Sequence, residues 1–462
     1  MKIQFLSKRV YTLFILGFFS LILFTGCNND AIDNAPPDII ITKDIVPKIS
    51  IQTNGATIVD EPKIDAQMSI SIGDVINYEG AVGIEFRGAS SQSFPKKSYG
   101  VETRDQNNND LDVSLLGFPE EEDWILYGPY SDKSLMRNIL VYDLARDIDM
   151  YASRSIFTEL KINNKDQGVY IFMEKLKRDT QRINVSTLTL DQNSGEELTG
   201  GYILKIDKIS GSNLGDGYNN FNSFSSSHSP PNASYDQKIN FLYEYPDAEV
   251  ITAQQKIYIS SYIKDFENAL ASADFKDPNI GYSKYIDVPS FIDFFLLNEI
   301  SNNVDGYRLS TYMHKDRSGK LKMGPVWDFN LALGNADYCG GGETNLWAYK
   351  FNERCSQDYW LIPFWWERLL QDPAFVSQLK NRWITLRNGP FSEDSIMSKI
   401  IGYHETLENA GAIDKNFNIW KILGVYLWPN KFVGNTYIDE NNYLSNWVLD
   451  RLTWMDGALN TL

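Results

Sequence analysis

The sequence predicts an α+β fold, β-rich in its first half and mainly helical in its second. Three observations predict it. Runs that alternate apolar and polar residues recur from Ile49 to about Ile209. From Thr252 onward the apolar residues Ile257, Tyr258, Tyr262, Phe266 and Leu270 fall at helical spacing. The change of period lies near Tyr245, where Pro246 ends a short strand pattern. Two lobes with a cleft between them are the expected arrangement.

The elements follow in order. Val82-Gly83-Ile84-Glu85-Phe86-Arg87 alternates as a half-buried strand does, and Lys97 to Glu102 continues the pattern after a turn. Ser134 to Asp147 reads as a helix through Leu135, Ile139, Leu140, Tyr142 and Leu144. Phe157–Ile162, Gly168–Met173 and Tyr202–Ile206 read as strands, the first two joined by a turn at Asn163-Asn164-Lys165-Asp166. Residues 210–234, rich in Gly, Ser, Asn and Pro, read as a mobile loop. Phe241–Tyr245 is a strand, Ser290–Ile300 a Phe- and Leu-rich helix, and Thr311–His314 with Lys320–Val326 a hairpin around Asp316-Arg317-Ser318-Gly319. Phe364–Leu370, stopped by Asp372-Pro373, reads as a buried helix, so Trp365 and Trp366 are expected in the core rather than on a sugar-binding face.

The N-terminus sets the compartment. Lys2, Lys8 and Arg9 precede an apolar run from Val10 to Phe24, then Thr25-Gly26-Cys27. This is a signal-peptide pattern, shorter than the roughly 20 residues of a membrane span. Its end looks like a bacterial lipobox, which implies cleavage before Cys27, acylation of that thiol, and anchoring outside the cytoplasm, at the outer membrane or cell surface. Each buried methylene of an acyl chain adds about 0.8 kcal/mol of anchoring. The expected organisation is signal peptide 1–26, tether 27–48, β-rich lobe 49–245 and helical lobe 246–462.

A net charge of -17 argues against nucleic acid as a partner, because phosphates need a basic footprint. Besides Cys27 there are two cysteines, Cys339 and Cys355, a candidate disulfide worth about 3 kcal/mol in the chain-entropy model. With three histidines and no CxxC, the chain lacks the usual ligand set for zinc.

Two stretches carry candidate chemistry: Asn302 to Tyr312, containing Asp305, and Lys322 to Asn330, containing Asp328. The hairpin between them places each aspartate at one of its ends. One carboxylate that orients an attacking hydroxyl, and a second that holds Mg²⁺ against phosphates, is what phosphoryl transfer requires. On spacing alone both aspartates also fit turns or caps.

Phe86-Arg87-Gly88-Ala89-Ser90-Ser91-Gln92-Ser93-Phe94-Pro95-Lys96-Lys97-Ser98-Tyr99, Asp132 to Asn138, Gly168 to Lys175, Gly201 to Lys205, Val304-Asp305-Gly306-Tyr307 and Val326-Trp327-Asp328-Phe329-Asn330, taken in this order, resemble the spore-coat-protein-H (CotH) family of atypical protein kinases. The resemblance runs from about residue 80 to about 345. It implies an atypical kinase-like fold, use of ATP or another nucleoside triphosphate with Mg or Mn, Asp305 as catalytic base and Asp328 as metal ligand. Two positions depart from the family pattern: Ser310 stands where an Asn is usual, and Asn330 where a second Asp is usual. Both still offer neutral oxygens to a metal. Lys97 and Lys205 are candidates to neutralise phosphates, with Glu174 orienting one of them; solvent-facing strand charges are the alternative. Arg87 and Arg137 suit phosphate or structural ion pairs equally. Tyr245 and its neighbours suit an adenine contact or a core role. The expected activity is phosphorylation of Ser or Thr on a secreted or surface protein. An inactive kinase-like adhesion protein and a carbohydrate-active protein are the rival readings.

Overall fold

Strands β1 (Lys48–Gln52), β2 (Ile64–Ile72), β3 (Val75–Arg87), β4 (Ser98–Arg104), β5 (Asp123–Tyr127), β6 (Ser155–Ile162) and β7 (Lys165–Glu174) close into a barrel in the order β1-β2-β3-β4-β5-β7-β6. The structure is a computed structural model that describes residues 45–209 and 217–462. Alternation decides which side faces inward: in β2 the alternate residues Ala66, Met68, Ile70 and Ile72 are buried. Every neighbouring pair is antiparallel except β1 with β6, where Ile49 lies opposite Leu160 in a parallel pairing that closes the ring.

This corrects the expected kinase-like lobe. The first part of the chain is β-rich, but as a seven-stranded closed barrel. Closure leaves no unpaired strand edge, and it depends on β1, a strand that had not been recognised individually.

A second sheet has the order β12-β11-β8-β10-β9. Its members are β8 (Tyr202–Ile206), β9 (Ser223–Ser225), β10 (Asn240–Tyr245), β11 (Thr311–Lys315) and β12 (Lys322–Met323). The stretch read as a mobile loop thus contains β9, hydrogen-bonded to β10; residues 210–216 lie outside the described residues. The change of period near Tyr245 is not a boundary between sheets, because the later hairpin β11–β12 docks on β8.

Helix α1 (Arg137–Arg146) follows β5, and α2 (Ala253–Ala271) and α3 (Val288–Ser301) precede the β11–β12 hairpin. Then come α4 (Phe351–Arg354), α5 (Trp365–Leu369), α6 (Pro373–Arg387), α7 (Glu393–Asn409), α8 (Ala412–Ile419) and α9 (Tyr437–Ala458). Thr252 and Gln255 form a capping box at α2, and the Asp287 side chain caps α3 through the Ser290 amide. Trp365 and Trp366 are fully buried; Trp366 packs 4.7 Å from the Tyr307 ring. Cys339 and Cys355 are joined as a disulfide. Cys27 and the expected signal peptide lie outside the described residues. Among the described residues no helix is long and apolar enough to cross a membrane.

Candidate functional site

Asp305 is delivered by the end of α3. The helix stops at Asn302, which adopts a left-handed conformation with φ 41°. The Asn302 side-chain amide donates to the carbonyls of Gly340 and Glu343, each at 2.9 Å, and so fixes the exit. Gly306 follows because nothing larger fits: a Cβ there would lie 2.3 Å from Asn298 Oδ1. Tyr307 then inserts into the core, its hydroxyl donating to Glu299 Oε1 at 3.0 Å. Asp305 Oδ1 accepts from Arg308 Nη2 at 2.7 Å and from the Tyr338 hydroxyl at 3.3 Å. Among the described residues Oδ2 accepts no hydrogen bond. Arg308 is itself fixed by Val304 O, Asp358 and Trp360 O, so one oxygen of Asp305 is anchored and the other is free to meet a hydroxyl.

Asp328 is delivered by α1. The Phe329 amide donates to Asn138 Oδ1 at 2.7 Å and the Asp328 amide to the Tyr142 hydroxyl oxygen at 3.2 Å. Tyr142 also stacks on Trp327, with ring centroids 5.9 Å apart. These supports hold Asp328 at φ 63°, a left-handed conformation that non-glycine residues adopt at a cost. Arg137 braces the same turn through Leu333 O at 3.4 Å, while its main partner is the buried Asp132 at 2.6 Å, so it is a structural ion pair.

The Asp328 carboxylate makes no hydrogen bond and no ion pair among the described residues. Burial pushes its pKa up to about 7, helped by the negative charges of Asp305 and Asp207, against the pull of Lys208 and Arg87. Three carboxylates therefore face one region. Asp207 follows β8 directly. Its Oδ2 accepts from Ser310 Oγ at 3.4 Å and its Oδ1 from the Lys208 amide at 2.8 Å. Burial raises its pKa, opposed chiefly by Lys205.

The cations stand close without neutralising this region. Lys205 pairs with Glu244 at 2.8 Å, Lys208 lies over the Trp360 ring at 5.0 Å, and Arg87 lies over the Trp327 ring at 5.8 Å. Oxygen-only ligands with unspent negative charge suit a hard divalent cation such as Mg²⁺ or Mn²⁺. The residues present thus fit the implied metal.

Of the expected residues, Asp305, Asp328, Ser310, Arg87 and Lys205 belong to this region. Lys97 does not pair with any of the three aspartates: its amine donates to Gln92 O in its own loop. Nor does Glu174 orient a lysine. It is buried between Arg154 at 2.6 Å and Arg182 at 3.8 Å, and the carboxylate that orients Lys205 is Glu244. Asn330 accepts from Asn335 through its backbone carbonyl at 2.7 Å, and its side chain makes no hydrogen bond among the described residues. The Tyr245 hydroxyl accepts from the Leu188 amide at 3.4 Å, and its ring packs against a cluster of Leu176, Ile183, Val185, Ile203 and Tyr312, with Trp327 alongside.

Asp207 and Glu244 were not picked out from the sequence. Asp207 continues the period-two face of β8 from Lys205, which is the one signal that pointed to it. Among the described residues the group that brings three such carboxylates within 4.8 Å of one another is a separate one, Asp112, Glu121 and Glu122. Lys177 already bridges Glu121 and Glu122 at 2.7 and 2.6 Å, so that charge is spent on the protein's own lysine.

The family model described as "CotH kinase protein" matches residues 84–455, most of the chain. No curated protein matches it.

Proposed function

Because the chain belongs to the CotH kinase family, we propose that it transfers the γ-phosphoryl group of a nucleoside triphosphate to a Ser or Thr hydroxyl of a secreted or surface protein. The observation that carries this reading is the unpartnered Asp328 carboxylate beside Asp305. A half-buried carboxylate set among like charges without a hydrogen bond is costly, and a cation–phosphate ligand would turn that cost into affinity. Asp305 accepts the acceptor hydroxyl's proton while its oxygen bonds to the γ-phosphorus; the bond to the β-phosphate bridge breaks and the diphosphate leaves. Arg308 and Tyr338 hold Asp305 in place for this. Asp328 and Ser310 would hold Mg²⁺ or Mn²⁺, which would supply positive charge against the phosphates. Lys205, steadied by Glu244, and Arg87 supply further positive charge. The partly exposed rings of Tyr245 and Trp327, at the edge of a buried apolar cluster, offer a surface for the base. We place the protein outside the cytoplasm, held to a membrane through a lipid on Cys27.

An inactive, surface-binding protein is the second reading. Ser310 and Asn330 favour it, since they replace stronger metal ligands with weaker ones.

Thermal melting of the full chain with nucleotide and Mn²⁺ separates the two. The kinase reading expects a stabilisation that needs both ligands and disappears in D328A. D305A is expected to keep that stabilisation and to lose phosphate incorporation into protein by a factor of about 10²–10⁴, the usual contribution of a positioned base. Stabilisation that survives D328A removes Asp328 as the metal ligand.

A further inference from the structure

We propose that Asp207 is the third acidic member of this site and a ligand for its divalent cation, supplying the charge that Ser310 and Asn330 do not. The proposal rests on the phosphoryl-transfer reading above.

Strand register brings Asp207 there. β8 and β11 pair with Ile206 opposite Thr311, so the next residues outward, Asp207 and Ser310, leave the sheet side by side. The Ser310 amide and hydroxyl both point at the Asp207 carboxylate. Asp207 thus occupies the place next to the position where the catalytic segment carries serine. Ser310 itself has φ 45°, so the backbone is held in a left-handed conformation at this meeting point.

Its charge is not spent elsewhere. Among the described residues no cation lies within 4.0 Å of Asp207: Lys205 is taken by Glu244, Lys208 lies over Trp360, and Arg87 lies over Trp327. A carboxylate kept for stability is normally beside its counter-ion, as Asp132 is beside Arg137 at 2.6 Å. Asp207 instead lies near enough to Asp328 for their like charges to oppose each other, an arrangement that costs energy until a cation arrives. Asp328 alone gives a cation one negative ligand; Asp207 with Asp328 gives it two, which restores the charge of the usual Asp-x-Asp arrangement from a different strand.

The bland role for Asp207 is a local turn brace, since Oδ1 accepts from the Lys208 amide. The two roles predict opposite results. The test is a calorimetric Mn²⁺ titration of the full chain with a non-hydrolysable nucleoside triphosphate, for wild type, D207N and D328N, with melting of each metal-free protein. The proposal expects D207N to weaken Mn²⁺ binding at least tenfold and to melt no lower than wild type without metal. Unchanged Mn²⁺ affinity in D207N overturns the proposal, as does a lower metal-free melting temperature with affinity intact, the mark of a brace. If wild type itself binds no Mn²⁺ with nucleotide, the phosphoryl-transfer reading fails and takes this proposal with it. Should D207N not fold, D207E keeps the charge but displaces it by one methylene: weakened Mn²⁺ binding in that folded variant supports the proposal, and binding equal to wild type overturns it.

Discussion

Two carboxylates, one on α3 and one held against α1, are treated in opposite ways. Glu299 is fully buried and answered on every side: the Ala348 and Tyr349 amides donate at 2.7 and 2.9 Å, the Tyr307 hydroxyl at 3.0 Å, and Arg451 pairs at 3.3 Å. Asp328, held against α1, has a carboxylate with no partner among the described residues, and its neighbours Asp305 and Asp207 carry the same sign. The contrast separates a charge that holds the fold from a charge that no protein partner answers. Glu299 ties α3 to α9 and to the segment before α4, and that frame fixes the Asn302 turn from which Asp305 projects.

The largest effect expected from breaking this contrast is on the satisfied side. Arg451→Met leaves Glu299 buried without its counter-ion, and losing one member of a buried pair costs about 3–5 kcal/mol. Burial already raises the pKa of Glu299, with Arg451 the chief opposing influence, so the variant should also gain stability as the pH is lowered and Glu299 takes a proton. Denaturant unfolding at two pH values measures both effects. A loss below 1 kcal/mol would mean that the pair does not hold the frame.

The unsatisfied side should show a pH dependence of opposite origin. A carboxyl whose folded pKa lies near 7, against 3.8 in the unfolded chain, destabilises the fold once it ionises. The penalty is absent below about pH 4, grows at up to about 1.4 kcal/mol per pH unit, and levels off above about pH 7. D328N removes the ionisation. Its stability relative to wild type should therefore rise by a few kcal/mol between pH 4 and 7 in metal-free buffer. Mn²⁺ with nucleotide should erase this trend in wild type, because the ligand favours the ionised form. Parallel pH curves for the two proteins would show that Asp328 is solvated after all.

How much of this was legible in the sequence depended on the range of the interaction. β8 lies where the short apolar run Tyr202–Ile206 was read as a strand, and the helix read over Ser290–Ile300 is α3 with a residue or two added at each end. Both are set by neighbours along the chain. Asp305 and Asp328 were legible because a local motif surrounds each. Barrel closure was not, since β1 pairs with β6 across more than a hundred residues and nothing in Lys48–Gln52 names that partner. Asp207 was hidden for the same reason: its meaning comes from lying beside Ser310, a register fixed only when β11 docks on β8. The lysine partner failed similarly. Glu174 lies in the barrel and meets arginines, whereas Glu244 sits on β10, the strand next to Lys205.

The smallest effects sharpen the comparison at two adjacent residues of α8, where the helix meets the barrel. Asn416 Oδ1 accepts from the buried Lys96 amine at 2.8 Å and from the Val169 amide at 3.1 Å. Burial lowers the pKa of Lys96 well below its usual value; this amide oxygen and Pro129 O are the amine's hydrogen-bond acceptors. N416A leaves the buried Val169 amide unanswered and the Lys96 amine with Pro129 O as its remaining acceptor, and should cost about 1–3 kcal/mol. Lys415, half-exposed, pairs with Glu159 of β6 at 2.8 Å, a shorter contact than the Val169 bond. K415A should nevertheless cost under about 1 kcal/mol, and less as salt is raised, because the Lys415 amine lies open to water. If K415A proves the more damaging of the two, distance rather than exclusion of water sets the value of a polar contact in this protein. The distinction drawn between Glu299 and Asp328 would then lose its physical basis, because it too assumes that a buried charge without a partner is the expensive one.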